Sequence, residues 1–189
     1  MNVMLAERGG MTVRALVVYE SMFGNTRDVA LAVADGIGSL MPVEVMEVAA
    51  APAAIPADVG LLVVGGPTHA HGLTSTKSRA DAAKRAGDRL VSRGIGLDEW
   101  IGGLPSGPAS VVTATFDTRI KGPELLWGSA AKEANKRLAA LRYRVIAPPE
   151  SFLIGGPTGP AFDRLGDGEL ERASAWGASL AAAIAVPAT

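Results

Sequence analysis

The chain has 189 residues, 48% hydrophobic and 20% charged, with a net charge of −1. This length and apolar content suit one domain with a sizeable core and exclude intrinsic disorder, and the balanced charge gives no electrostatic footing for nucleic acid. There is no cysteine and there are two histidines, His69 and His71, so disulfide, thiolate and iron–sulfur chemistry are excluded and no metal site is expected.

No apolar run reaches the roughly 20 residues that span a bilayer. Residues 1–10 include Glu7 and Arg8 and lack the apolar core of a signal peptide, so the expected compartment is the cytoplasm. Residues 1–11 read as a short, flexible leader and residues 12–189 as a single domain.

Arg14-Ala-Leu-Val-Val-Tyr19 is a continuous apolar run, the pattern of a strand buried on both faces. The polar turn Glu20-Ser-Met-Phe-Gly-Asn-Thr26 follows, and then Val29, Val33 and Ile37 mark the apolar stripe of a helix. Val43-Glu-Val-Met-Glu-Val48 carries two acids and reads as an edge strand. Leu61-Leu-Val-Val64 is the most apolar strand, ending in the loop Gly65-Gly-Pro-Thr-His-Ala-His-Gly72. A helix is predicted from about Thr76 to Arg93, with Ala82, Ala83, Ala86, Leu90 and Val91 buried.

The glycine- and proline-rich stretch from Gly94 to Pro108 reads as a loop pinned by Trp100 and Ile101. Ala109–Phe116 is the fourth strand, with Asp117–Pro123 a loop and a helix from about Gly128 to Leu141. The fifth strand begins near Tyr143, is interrupted by Pro148 and Pro149, and resumes at Ser151–Ile154. A last helix spans about Gly168 to Ala185. Gly155-Gly-Pro-Thr158 repeats the wording of the Gly65 loop and reads as a turn. Trp100, Trp127 and Trp176 read as core or rim anchors. Strands alternating with helices predict an α/β fold in which a parallel sheet is covered on both faces. Ligands of such sheets bind beyond the carboxyl ends of the strands, which directs attention to the loops beginning at Glu20, Gly65 and Phe116.

Ser21, Gly24, Asn25 and Thr26 lie between a buried strand and a helix N-terminus. Hydroxyls, free backbone N–H groups and a glycine at the positive end of a helix dipole suit an anion. The same residue types also serve as ordinary helix caps.

Val17-Val-Tyr-Glu-Ser-Met-Phe-Gly-Asn-Thr-Arg27 resembles the phosphate-binding loop of flavodoxin-like FMN proteins. Leu61-Leu-Val-Val-Gly-Gly-Pro-Thr-His69 resembles the third strand of that family and the flavin loop after it. The resemblance covers about Thr12 to Ala185. It implies a three-layer flavodoxin-like fold, a five-stranded parallel sheet of order 2-1-3-4-5 with helices on both faces, and FMN as cofactor. Ser21, Met22, Phe23, Gly24, Asn25 and Thr26 would hold the phosphate. Pro67, Thr68, His69, Ala70, His71 and Gly72 would line the isoalloxazine ring, and Phe116, Asp117, Thr118 and Arg119 would approach its pyrimidine end.

The chain departs from the family pattern at two points. Phe23 replaces the Thr or Ser of many flavodoxins, and neither flavin loop contains Trp or Tyr. His69, His71 and Phe116 supply the only rings there. A histidine stacked on the flavin and a histidine packed locally are both consistent with the sequence, as are an Arg119 that balances flavin charge and one on a solvated rim.

The implied function is electron transfer through non-covalently bound flavin to a redox partner protein. The alternative is an FMN-dependent NAD(P)H:quinone-type oxidoreductase with a small quinone-like acceptor. A charge of −1 lacks the acidity that steers shuttle flavodoxins, and no G-x-G-x-x-G nicotinamide fingerprint is present. A cofactor-free binding module of the same fold is the third class. The absence of a G-x-x-x-x-G-K-[ST] motif argues against a P-loop enzyme, and Gly65-Gly66-Pro67 stands where a receiver domain would need an aspartate.

Overall fold

The apolar run after residue 13 becomes the strand Arg14–Tyr19 (β1), and its side chains alternate between two cores. Ala15 and Val17 enter a cluster with Val29, Val33 and Ile37, whereas Leu16 and Val18 face Leu62, Val64, Leu97 and Trp100. Burial of both faces is what a central parallel strand requires, and it explains the absence of polar alternation. The computed structural model describes residues 7–8, 11–69, 72–122, 128–155 and 164–185. Ala70, His71, Trp127 and Gly156–Thr158 therefore lie outside the described residues.

The remaining strands are Val43–Glu47 (β2), Val59–Pro67 (β3), Val112–Ile120 (β4), Arg144–Val145 (β5) and Glu150–Ile154 (β6). All neighbours in this sheet pair in parallel, in the order β2-β1-β3-β4, with β5 and β6 sharing the fifth position along β4. The order is thus 2-1-3-4-5 with the last place split in two, as the Pro148-Pro149 interruption predicts. β2 lies at the edge, as Glu44 and Glu47 suggest. Ahead of the sheet, Glu7–Arg8 pairs antiparallel with Met11–Thr12.

The helices are Asn25–Gly38 (α1), Thr76–Ala86 (α2), Leu97–Gly103 (α3), Ala130–Ala140 (α4) and Glu169–Ala185 (α5). The core clusters place α1 and α5 on one face of the sheet and α3 and α4 on the other. α2 ends at Ala86, short of the predicted Arg93, because Gly87 takes a left-handed φ of 54° before the 3-10 turn Gly87–Arg89.

Three further expectations need correction. The stretch read as a loop from Gly94 to Pro108 contains α3, whose Leu97, Trp100 and Ile101 recur at helical spacing and are buried. Trp100 Nε1 also donates to the Pro52 carbonyl at 2.9 Å, so Trp100 and Ile101 do pin the segment. β3 runs on through Gly65, Gly66 and Pro67, which pair with Phe116, Asp117 and Thr118. β4 runs on to Ile120 because β6 pairs with its second half, Asp117 against Ser151 and Arg119 against Leu153. Asp117, Thr118 and Arg119 thus stand on a strand, where they were expected on a loop.

α1 and α5 cross closely through a glycine on each. A Cβ on Gly36 would overlap the Ser174 carbonyl oxygen, and one on Gly177 would overlap the Val33 carbonyl oxygen. Helix propensity alone would favour Ala at either position by about 1 kcal/mol. Backbone overlap outweighs that gain. Gly36→Ala is expected to lower stability by about 1–3 kcal/mol, read as a lower urea midpoint at unchanged slope.

Candidate functional site

Each crossover of the sheet directs a helix N-terminus toward the carboxyl ends of the strands, where unpaired N–H groups collect. The chain caps three of these helix starts with its own side chains. Ser75 Oγ accepts from the Ser78 N–H at 3.1 Å and Ser78 Oγ accepts from the Ser75 N–H at 2.8 Å, which caps α2. At α3, Glu20 Oε2 accepts from the Leu97 N–H at 2.9 Å and Glu99 Oε2 accepts from the Gly96 N–H at 3.0 Å.

The start of α4 is the most heavily filled. Thr68 Oγ1 accepts from the Ala130 N–H at 2.9 Å, Asp117 Oδ2 from the Ala131 N–H at 3.0 Å, and Ser129 Oγ from the Lys132 N–H at 3.1 Å. Thr68 and Ser129 in turn donate to Asp117 Oδ2 at 3.1 and 2.6 Å. A buried carboxylate at the positive end of α4 complements the dipole and occupies the place an anion would take.

α1 differs. Its N-cap is Gly24, at φ 104°, and brings no side-chain hydrogen bond to the helix. Only glycine holds that conformation without strain. The preceding turn is built rigidly: Ser21 Oγ accepts from the Gly24 N–H at 3.1 Å, and Met22 is buried. The Ser21 N–H donates to Ser92 Oγ at 2.9 Å, the Ser92 N–H donates to the Ser21 carbonyl at 2.8 Å, and the Val91 N–H donates to the Met22 carbonyl at 3.2 Å. Thr26 and Thr118 share a buried hydroxyl–hydroxyl bond of 2.7 Å that joins α1 to β4. Phe23 is 37% exposed beside this turn.

The loop after β3 closes through paired backbone bonds between His69 and Gly72, at 3.0 and 3.1 Å. A carboxylate braces it from α4, where Glu133 Oε2 accepts from the Leu73 N–H at 2.8 Å. A second braces it from the residue after β1, since Thr74 donates to Glu20. Burial, reinforced by Arg85, depresses the His69 pKa below its ordinary 6.5, so the imidazole is neutral at neutral pH. Burial opposes the charge on Glu133, but the Leu73 N–H and Arg137 prevail and hold its pKa below the ordinary value.

The fold therefore brings together Ser21–Thr26, Pro67–His69, Gly72, Asp117, Thr118 and Arg119 around one end of the sheet. Phe116 is the exception: it is 1% exposed, with its ring edge-on to Phe152 and Trp176 at 6.0 and 6.2 Å. That ring fills the core over Gly65, where a Cβ would strike it, and leaves the crevice without it. Arg119 is half-buried and donates to the Gly122 carbonyl at 3.0 Å.

Sequence reasoning assigned no role to Glu20, Thr74, Arg79, Ser92, Ser129 or Glu133. Ser129 and Ser75 carry a readable signal, a hydroxyl directly before a helix. Glu20 carries another, an acid immediately after an all-apolar strand. Ser92 and Glu133 act through contacts 71 and 60 residues distant in sequence, which no local pattern reports.

No protein-family model and no curated protein matches the sequence. Solved structures do match. A flavodoxin from the domain Archaea aligns over 91% of this chain and 99% of its own, with 19% identity and a TM-score of 0.58. Oxidised flavodoxin 2 from Bacillus cereus aligns over 90% and 99%, with 16% identity and a TM-score of 0.61. Rubredoxin oxygen:oxidoreductase from Desulfovibrio gigas aligns over 94% of this chain and 38% of its own, with 16% identity and a TM-score of 0.56. This chain has the flavodoxin-like fold.

Within this flavodoxin-like domain Glu20 is the buried acid with a displaced titration. Burial raises its pKa above the ordinary 4.5, against the pull of Thr74, the Leu97 N–H and Arg79. The native state therefore holds the Glu20 proton to higher pH than the unfolded chain does. Stability should fall as pH rises from about 4.5 through the raised titration range. Glu20→Gln, neutral throughout, should lose that slope; urea midpoints at stepped pH read it, and an unchanged slope would contradict the assignment.

Proposed function

We propose that the chain is an FMN-binding redox protein that transfers electrons through a non-covalently held flavin. The observation that carries this reading is the difference between helix ends: α2, α3 and α4 are closed by side chains, whereas α1 starts at Gly24 without a side-chain cap. A phosphate suits that end, because it supplies acceptor oxygens to a helix start that no N-cap side chain closes, and Asp28, the acid of the first turn, is paired with Arg27. Flavodoxin-like neighbours and the Ser21–Thr26 wording support FMN as the group that brings the phosphate.

In this reading the turn Ser21, Met22, Phe23, Gly24, Asn25 and Thr26 holds the phosphate through backbone N–H groups and hydroxyls. Pro67, Thr68, His69, Ala70, His71 and Gly72 border the ring. The backbone of Phe116 and residues Asp117, Thr118 and Arg119 form the far wall. The Phe116 ring lies in the core and Asp117 Oδ2 is committed to the start of α4, so the Phe116 ring shapes the wall and does not grip the ligand. Flavin, when bound, supplies the electron chemistry. The chain's own residues bind the phosphate, orient the ring and set its surroundings. Neutral His69 offers a ring without adding charge.

Electron transfer to a redox partner protein is the function this supports best. The NAD(P)H:quinone-type oxidoreductase uses the same site, and turnover assays with NADPH and a quinone separate the two. The decisive preliminary is a visible spectrum of the purified protein after incubation with FMN and desalting. Retained flavin bands near about 375 and 450 nm are expected; a colourless protein would refute the reading. Gly24→Ala places a side chain at φ 104° and should cost about 1–2 kcal/mol of stability. It should also weaken FMN retention, measured by the same spectrum.

A further inference from the structure

Glu20 immediately precedes the anion turn and is 0% exposed. The groups that face its carboxylate come from three segments. Thr74 donates to Oε1 from the loop after β3, the Leu97 N–H donates to Oε2 from α3, and Arg79 of α2 and Glu99 of α3 lie close enough to act on its charge.

The charges in this cluster do not balance. Two carboxylates, Glu20 and Glu99, share one guanidinium, and Arg79 pairs directly with Glu99. Arg79 reaches Glu20 through Thr74, donating to its hydroxyl at 3.3 Å. An ionised Glu20 thus leaves an excess negative charge buried one residue ahead of the turn at α1, on the α3 side of the sheet, where solvent and salt screen it poorly. A purely structural tie would not need that charge. A Gln side chain could accept from the Leu97 N–H at a smaller desolvation cost.

We propose that Glu20 regulates the anion turn electrostatically: its ionised form weakens the hold of the α1 end on a phosphate, and its protonated form strengthens it. The inference rests on the FMN reading and assigns that site a proton-dependent affinity. By reciprocity, binding a phosphate makes Glu20 harder to ionise, so binding draws in a proton over the Glu20 titration range. The raised titration of Glu20 brings that range closer to neutrality than an exposed carboxylate would allow.

The test is FMN affinity, measured by quenching of flavin fluorescence at stepped pH and constant ionic strength, for wild type, Glu20→Gln and Arg79→Gln. Wild type and Glu20→Gln should coincide at the acid end and diverge as Glu20 ionises. The variant should end about tenfold tighter, the order of effect of one charge across a partly buried separation. Titration of His69 and of the phosphate itself occurs in both proteins and cancels in their ratio. Arg79→Gln removes the compensating cation and should weaken FMN at neutral pH, and it carries the test should Glu20→Gln fail to fold. Riboflavin, which lacks the phosphate, should respond to neither substitution.

A Glu20→Gln to wild-type ratio that stays flat with pH would overturn the proposal. So would equal weakening of FMN and riboflavin, which marks a structural role. Wild type that binds FMN at no pH would remove the cofactor reading and this inference with it.

Discussion

Backbone donors at a helix N-terminus need partners, and a parallel sheet with helical crossovers gathers several such ends at one edge. The rest of the structure follows from how this chain meets that demand. It closes α2 with Ser75 and Ser78, α3 with Glu20 and Glu99, and α4 with Thr68, Asp117 and Ser129. α1 alone among these four begins with a glycine N-cap and a turn whose side-chain bonds run backward to brace the turn itself. Three of these ends carry side-chain caps and the fourth does not.

The bracing gives that end a fixed shape. Ser92 holds the turn at Ser21, the Thr26–Thr118 pair ties α1 to β4, and Glu133 and Glu20 hold the loop after β3 at Leu73 and Thr74. A site fixed before its ligand arrives loses less conformational entropy on binding. The same economy explains Gly65: the Phe116 ring occupies the space a side chain would fill, which lets β3 and β4 continue past the core to the loops that border the site.

Most of the architecture was legible in the sequence because its signals are local. Continuous apolar runs marked the central strands, Glu44 and Glu47 marked the edge, and Pro148-Pro149 marked the break between β5 and β6. α3 was obscured because Gly94, Gly96, Gly102 and Gly103 crowd a segment whose helical signal is confined to Leu97, Trp100 and Ile101. The extensions of β3 and β4 were missed for a different reason. Strand character at Gly65–Pro67 and Asp117–Ile120 comes from pairing with distant segments, and neither stretch resembles a strand by itself. Within the candidate site the Ser21–Thr26 turn stood out by its wording. The roles of Glu20 and Glu133 did not, because these carboxylates find their partners only in the folded chain.

The proposed anion site is the α1 end rather than α3 or α4. Backbone amide NMR of the nitrogen-15-labelled protein during titration with FMN distinguishes them. The largest shifts are expected at the amides of Met22 to Thr26, with inorganic phosphate moving the same resonances in the same direction. Shifts centred on Leu97 or on Ala130 and Ala131, or none at the α1 turn, would contradict it.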